Sequence, residues 1–205
     1  MVENLISFSI ATMVLALSPG PDNIYVLTQS LVNGPRSGLA TTAGLISGCI
    51  VHTTLLAFGI SAVIAASPVL FYAIKLLGAC YLLYLAWGVY QSPAHILIDP
   101  ASARPRRYLS LFRQGVFMNL VNPKVMIFFL AFFPGFIWDA QGNTVVQFYL
   151  LGLTFMLVSF LVFSAIALLA GQISGMLRNS NAVARTLKWL QIVVFVGIAV
   201  FILLP

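Results

Sequence analysis

"ALSPGPDNIYVL", residues 16–27, places Pro19, Gly20, Pro21 and Asp22 inside an apolar run long enough to cross a bilayer. Proline lacks a backbone donor and clashes with the preceding turn, while glycine opens dihedrals that other residues avoid. A helix entering this stretch therefore breaks and restarts near Pro21, leaving carbonyls and amides without helical partners. At membrane depth such groups persist only where protein or water satisfies them. The stretch thus predicts an interior site, not a plain lipid-facing span.

Composition agrees with a membrane setting. The 205 residues are 61% hydrophobic and only 7% charged, against about 25% charged in ordinary soluble domains. Six apolar runs, at 5–31, 38–65, 69–90, 112–133, 145–172 and 187–204, are each long enough to cross a hydrocarbon core of roughly 30 Å as a helix. The apolar-polar alternation of a membrane barrel is missing, so the fold class is all-α: a polytopic bundle of six transmembrane helices forming one membrane domain over 1–205. The first run opens with Glu3, has no basic flank and no small-residue cleavage site, and is expected to belong to the mature protein.

The connections set the orientation. Arg36 lies in the first, Arg104, Arg106, Arg107 and Arg113 in or bordering the third, and Arg178, Arg185 and Lys188 in or bordering the fifth, while the second and fourth carry neither Lys nor Arg. The positive-inside rule then puts the odd loops in the cytoplasm and both termini outside. On this reading the net charge of +6 is a topology signal and makes no case for nucleic acid. Trp87, Trp138 and Trp189 fall near span ends, where indole prefers the interface. The connection 91–111, with Pro93, Pro100 and Pro105, reads as an irregular cytoplasmic loop; His95 within it has no His, Cys or acidic cluster to make a metal site.

An internal echo links the opening stretch to a second one. "PDNIYVL" at Pro21 aligns with "PKVMIFF" at Pro123, an offset of half the chain. Three helices per half is an odd number, so the second half inserts upside down. This predicts a 3+3 inverted repeat, about 1–90 and about 112–205, with broken first and fourth helices. In the second break Asn122 can cap and Pro123 can begin a helix, which leaves Lys124 in a first turn where the dipole disfavours a cation.

Two readings stand for Asp22 and Lys124. They form a structural ion pair between symmetric positions, or they divide a zwitterion, with carboxylate at Lys124 and the Asn122 amides and ammonium at Asp22 and the carbonyls of the broken first helix. Ser18 and Asn23 are polar at the break and either satisfy backbone or touch ligand. In the second helix Ala40, Gly44, Gly48 and His52 share a face; the small residues indicate close packing, and His52 is a proton relay or a partner for broken backbone. Lys75 snorkels or gates. Cys49 and Cys80 lack CxxC spacing and occupy different helices, which favours packing over an intramembrane redox pair. No nucleophile, base and orienting group fall at catalytic spacing, so neither an enzyme nor a cofactor is expected.

At these residues the chain resembles the LysE/RhtB family of bacterial amino-acid exporters: "LSPGPDNIYVL", "NGPRSGLATTAGLISG", "GACYLLYLAWG" and "FRQGVFMNLVNPKVMIFFLAFFPGFI" carry the resemblance nearly end to end. It implies a six-helix inner-membrane exporter of amino acids or close derivatives, driven by protons and forming a homodimer. Departures fall at Gly135, where many members carry glutamine, and at Ser159, where some carry an acid; members also vary at the position of Asp22. The lack of an acid in the fifth helix inclines the reading to neutral substrates. Rival readings are an intramembrane thiol redox carrier and a passive solute channel.

Overall fold

The computed structural model describes residues 1–18, 20–62, 67–92, 107–139, 141–179 and 181–203. Pro19, the segment 93–106 with Pro93, His95, Pro100, Arg104, Pro105 and Arg106, and the side chain of Arg178 lie outside the described residues. Among the described residues every regular element is helical: α1 (Val2–Leu17), α2 (Pro21–Asn33), α3 (Pro35–Leu55), α4 (Pro68–Gln91), α5 (Tyr108–Val121), α6 (Pro123–Phe132), α7 (Thr144–Leu168), α8 (Ala170–Asn179) and α9 (Asn181–Leu203). A π-helical turn, Leu56–Ile60, extends α3, and a 3-10 turn, Phe133–Phe136, extends α6.

Prolines start four of these helices, where the missing donor costs nothing: Pro21, Pro35, Pro68 and Pro123 each occupy the first turn. Four helices are long and apolar enough to cross a membrane alone. The pairs α1–α2 and α5–α6 bend by 61° and 54° and bring the total to six when each counts as one broken span. The run expected to continue over 145–172 instead ends at Leu168, and α8 starts anew at Ala170. The apolar sequence of α7 gives way there to "GQISGMLRN", which has a polar side and suits an interface better than a bilayer core.

The exterior is apolar and the interior is aromatic. Val69, Leu77, Tyr84 and Leu157 are 80%, 71%, 67% and 62% exposed, a display of hydrocarbon that only lipid would cover comfortably. Inside, Phe8, Phe128, Phe129, Phe132 and Phe133 are buried. Phe129 stacks on Phe133 at 4.1 Å between centroids, and Phe8 meets Phe133 edge-on at 4.9 Å. Such pairs anchor α1 and α6 to each other through geometry as well as area.

α3 packs on α5 and α7, α1 on α7, and α4 on α9. Where α3 meets α5 the backbones nearly touch: a Cβ at Gly44 would collide with the carbonyl of Phe112, and one at Gly115 would meet the backbone of Thr41 and Leu45. Close approach of this kind is available to small residues alone. At one end of the α4–α9 pair, Trp87, Tyr90 and Trp189 form an aromatic group, and Lys188 Nζ donates to the carbonyls of Tyr90 and Ser92 at 2.7 and 2.6 Å. This cation therefore caps the last turn of α4, whose carbonyls have no helical partners.

Candidate functional site

Both breaks are built by the same chemistry. Pro123 has no N–H to give the carbonyl of Asn119 four residues earlier, and that oxygen accepts instead from Asn122 N–H at 3.1 Å and faces His52 Nε2 at 3.2 Å. A carbonyl only accepts, so His52 Nε2 carries the proton in this contact. This is the contact that the backbone-satisfying reading of His52 requires. At the first break Ser18 N–H closes on Val14 and Leu15 carbonyls at 3.1 Å, and Asn23 Nδ2 donates to the carbonyl of Ala16 at 2.7 Å. Asn23 thus ties the restarted helix α2 back to the end of α1.

Asn122 is the junction between the halves. Its Oδ1 accepts from Lys124 N–H at 3.0 Å, capping α6, and its Nδ2 donates to Asp22 Oδ2 at 2.8 Å. Asn122, rather than Lys124, supplies the hydrogen bond to the Asp22 carboxylate. The Lys124 ammonium stands 5.1 Å from the centroid of the Phe195 ring and 3.4 Å from where a Gly20 Cβ would be. A Cβ at position 20 would thus only touch the ammonium at ordinary van der Waals distance.

Beside these groups lies a partly open cavity of about 40 Å³, to which Asp22, Asn23, Cys49, Asn119, Lys124 and Ser159 contribute the polar or polarisable lining. A buried water needs roughly 10–15 Å³ of such volume, so the space has room for about three waters. Leu15, Phe155 and Phe163 are among its apolar walls. Side chains of opposite charge type from two broken helices therefore line one small pocket. Of the sequence candidates, Asp22, Asn23, Asn122 and Lys124 converge here, with Gly20 beside them and Pro21 and Pro123 opening the helices that carry them. Ser18 is buried at the end of α1, and its hydroxyl is unpartnered. Lys75, on α4, is outside the lining of this cavity.

Asn119 went unrecognised in the sequence, although its place four residues before Pro123 marks its carbonyl as one that the break must orphan. It also donates from Nδ2 to Cys49 Sγ at 3.4 Å. Cys49 is buried and Cys80 exposed, both as free thiols. The activity of a Cys80→Ser variant is expected to stay close to that of wild type; its complete loss, with normal membrane levels, would instead fit thiol chemistry.

An all-helical, multi-pass membrane protein whose two broken spans line a charged, partly apolar cavity has the architecture of a small-molecule transporter. The chain belongs to the LysE type translocator family, whose model matches residues 13–205. It is similar to the homoserine/homoserine lactone efflux proteins of Salmonella typhi and of Salmonella typhimurium strain LT2, each 33% identical over 174 residues, covering 84% of this chain and 83% of the relative. No solved structure matches it. Membership sets it among amino-acid and derivative exporters, which are transport proteins and not enzymes.

Proposed function

We propose that the chain exports small zwitterionic amino acids or close derivatives across the bacterial inner membrane, drawing on the proton gradient, by alternating access about the breaks at Pro21 and Pro123. The observation that carries this reading is the meeting of Asp22 and Lys124, from separate broken spans, on one cavity. The substrate carboxylate goes to Lys124 and the N-terminal turn of α6, where the helix dipole favours an anion. The ammonium goes to Asp22 and the carbonyls that end α1. The relatives named for homoserine and its lactone support a small substrate, and homoserine itself is a neutral zwitterion.

The pattern of helix packing supports the inverted repeat. Exchanging spans one, two and three with four, five and six turns the α3–α5 contact into the α7–α1 contact and maps α3–α7 and α4–α9 onto themselves, whereas the packing of α2 on α3 and of α4 on α6 has no comparable counterpart. The odd loops then face the cytoplasm and both termini face outward, with a second copy of the chain as the expected partner. One proton crossing roughly 150 mV supplies about 3.5 kcal/mol, enough for a few hundred-fold gradient of a neutral solute. Cells preloaded with labelled neutral amino acids test this directly. Efflux against a gradient that collapses with an uncoupler is the expected result; efflux indifferent to the uncoupler and only down the gradient would make the protein a passive channel.

A further inference from the structure

α7 presents Phe155, Ser159 and Phe163 at four-residue steps, and all three line the cavity that also holds Asp22 and Lys124. Ser159 is 1% exposed, and its Oγ has no hydrogen-bond partner. Helical hydroxyls commonly fold back on the carbonyl four residues earlier, and Ser9, Ser30, Ser47 and Thr154 do so here at 2.7–2.8 Å. Ser159 forgoes that bond, as Thr12, Thr42, Thr53 and Ser164 do elsewhere, and its neighbours on the helix are cavity walls. Asn119, 4% exposed and lining the same cavity, likewise has an unpartnered Oδ1. Unpartnered buried hydroxyls also occur at Thr12, Ser18, Thr42, Thr53 and Ser164, away from this cavity, but among the described residues Ser159 Oγ and Asn119 Oδ1 are the two on its lining, where a ligand can complete them.

Resting on the exporter reading above, we propose that Ser159, assisted by Asn119, determines specificity by binding a hydroxyl carried on a short substrate side chain. The Asn119 Oδ1 only accepts, whereas the Ser159 hydroxyl donates or accepts, so a ligand hydroxyl can serve both. Phe155 and Phe163 flank Ser159 along the helix and suit the methyl or methylene groups of such a side chain. A site that hydrogen-bonds a substrate hydroxyl rejects the methyl isostere far more strongly than an apolar pocket rejects an added hydroxyl, because the polar groups of the site are left unpaired.

The test uses isosteric pairs in which methyl replaces hydroxyl: serine against 2-aminobutyrate and threonine against valine, each labelled and loaded into cells carrying the full-length protein. Wild type is expected to favour the hydroxylated member of each pair by at least about tenfold, and Ser159→Ala to bring the ratio near one by losing the hydroxylated member. Ser159→Cys, close in size but a weaker donor, is expected to fall between them. The ratio within one variant does not depend on how much protein reaches the membrane. An unchanged ratio in Ser159→Ala, or equal loss of both members, overturns the role of Ser159 while leaving the exporter intact. Wild type that moves no amino acid overturns both.

Discussion

Lys124→Ala is expected to reduce amino-acid efflux by about tenfold to a hundredfold at normal membrane levels, the scale of losing one charge-assisted hydrogen bond to a substrate carboxylate. The position combines a cationic side chain with the first turn of α6, and the Asn122 side chain already occupies the Lys124 amide. Removing the ammonium leaves the cavity with Asp22 as its charged group, a poor host for a carboxylate. The same loss would follow if Lys124 merely neutralised Asp22, so the single variant does not distinguish the two roles. The double variant Asp22→Asn/Lys124→Gln does. A structural pair neutralised on both sides no longer leaves a lone buried charge, and transport should recover. A divided zwitterion site loses both of its poles, and the double variant should be no better than the worse single. Recovery would assign the two residues to holding the halves together.

Much of this geometry was legible because proline chemistry is local. Pro21 and Pro123 fix where two spans must break, and Asn122 before Pro123 fixes the cap, with no knowledge of the fold required. Span lengths were legible for a similar reason, since hydrocarbon thickness sets them. The boundary between α7 and α8 was missed because Leu168, Leu169 and Ala170 continue the apolar composition through the point where the helix ends. The partners at the breaks were less legible. That His52 reaches the Asn119 carbonyl depends on α3 and α5 lying close, and that Asn122 reaches Asp22 depends on the two breaks meeting. Both are contacts across more than sixty residues of sequence, set by tertiary packing. Ser159 entered the sequence reading only as an uncharged position in the fifth helix; its unpartnered hydroxyl becomes visible when the cavity is seen.

The glycine face of α3 separates folding from transport, and two substitutions four residues apart should show it. Gly44→Ala places a methyl group against the backbone carbonyl of Phe112, which can yield only if α3 and α5 move apart. Overpacking of this kind costs about 1–3 kcal/mol and occasionally more. A clear drop in the thermal midpoint of the detergent-purified protein is expected, and a larger one for Gly44→Val. At Gly48 the added methyl would meet the Asn119 side chain instead, 2.6 Å from Oδ1 and 2.8 Å from Cβ. Oδ1 can rotate away but Cβ moves only with the α5 backbone, so α5 must give here too, by less than against the Phe112 carbonyl at Gly44, and Gly48→Ala should be the more stable of the two alanine variants. Yet Asn119 lines the cavity, and displacing it disturbs the bond to Cys49 and the position of Oδ1. Gly48→Ala is therefore expected to lose transport out of proportion to its loss of stability, while Gly44→Ala loses transport only as far as folded protein is lost. The reverse order, with Gly48→Ala transporting normally per folded molecule, would remove Asn119 from the site and leave the α3–α5 contact as packing alone.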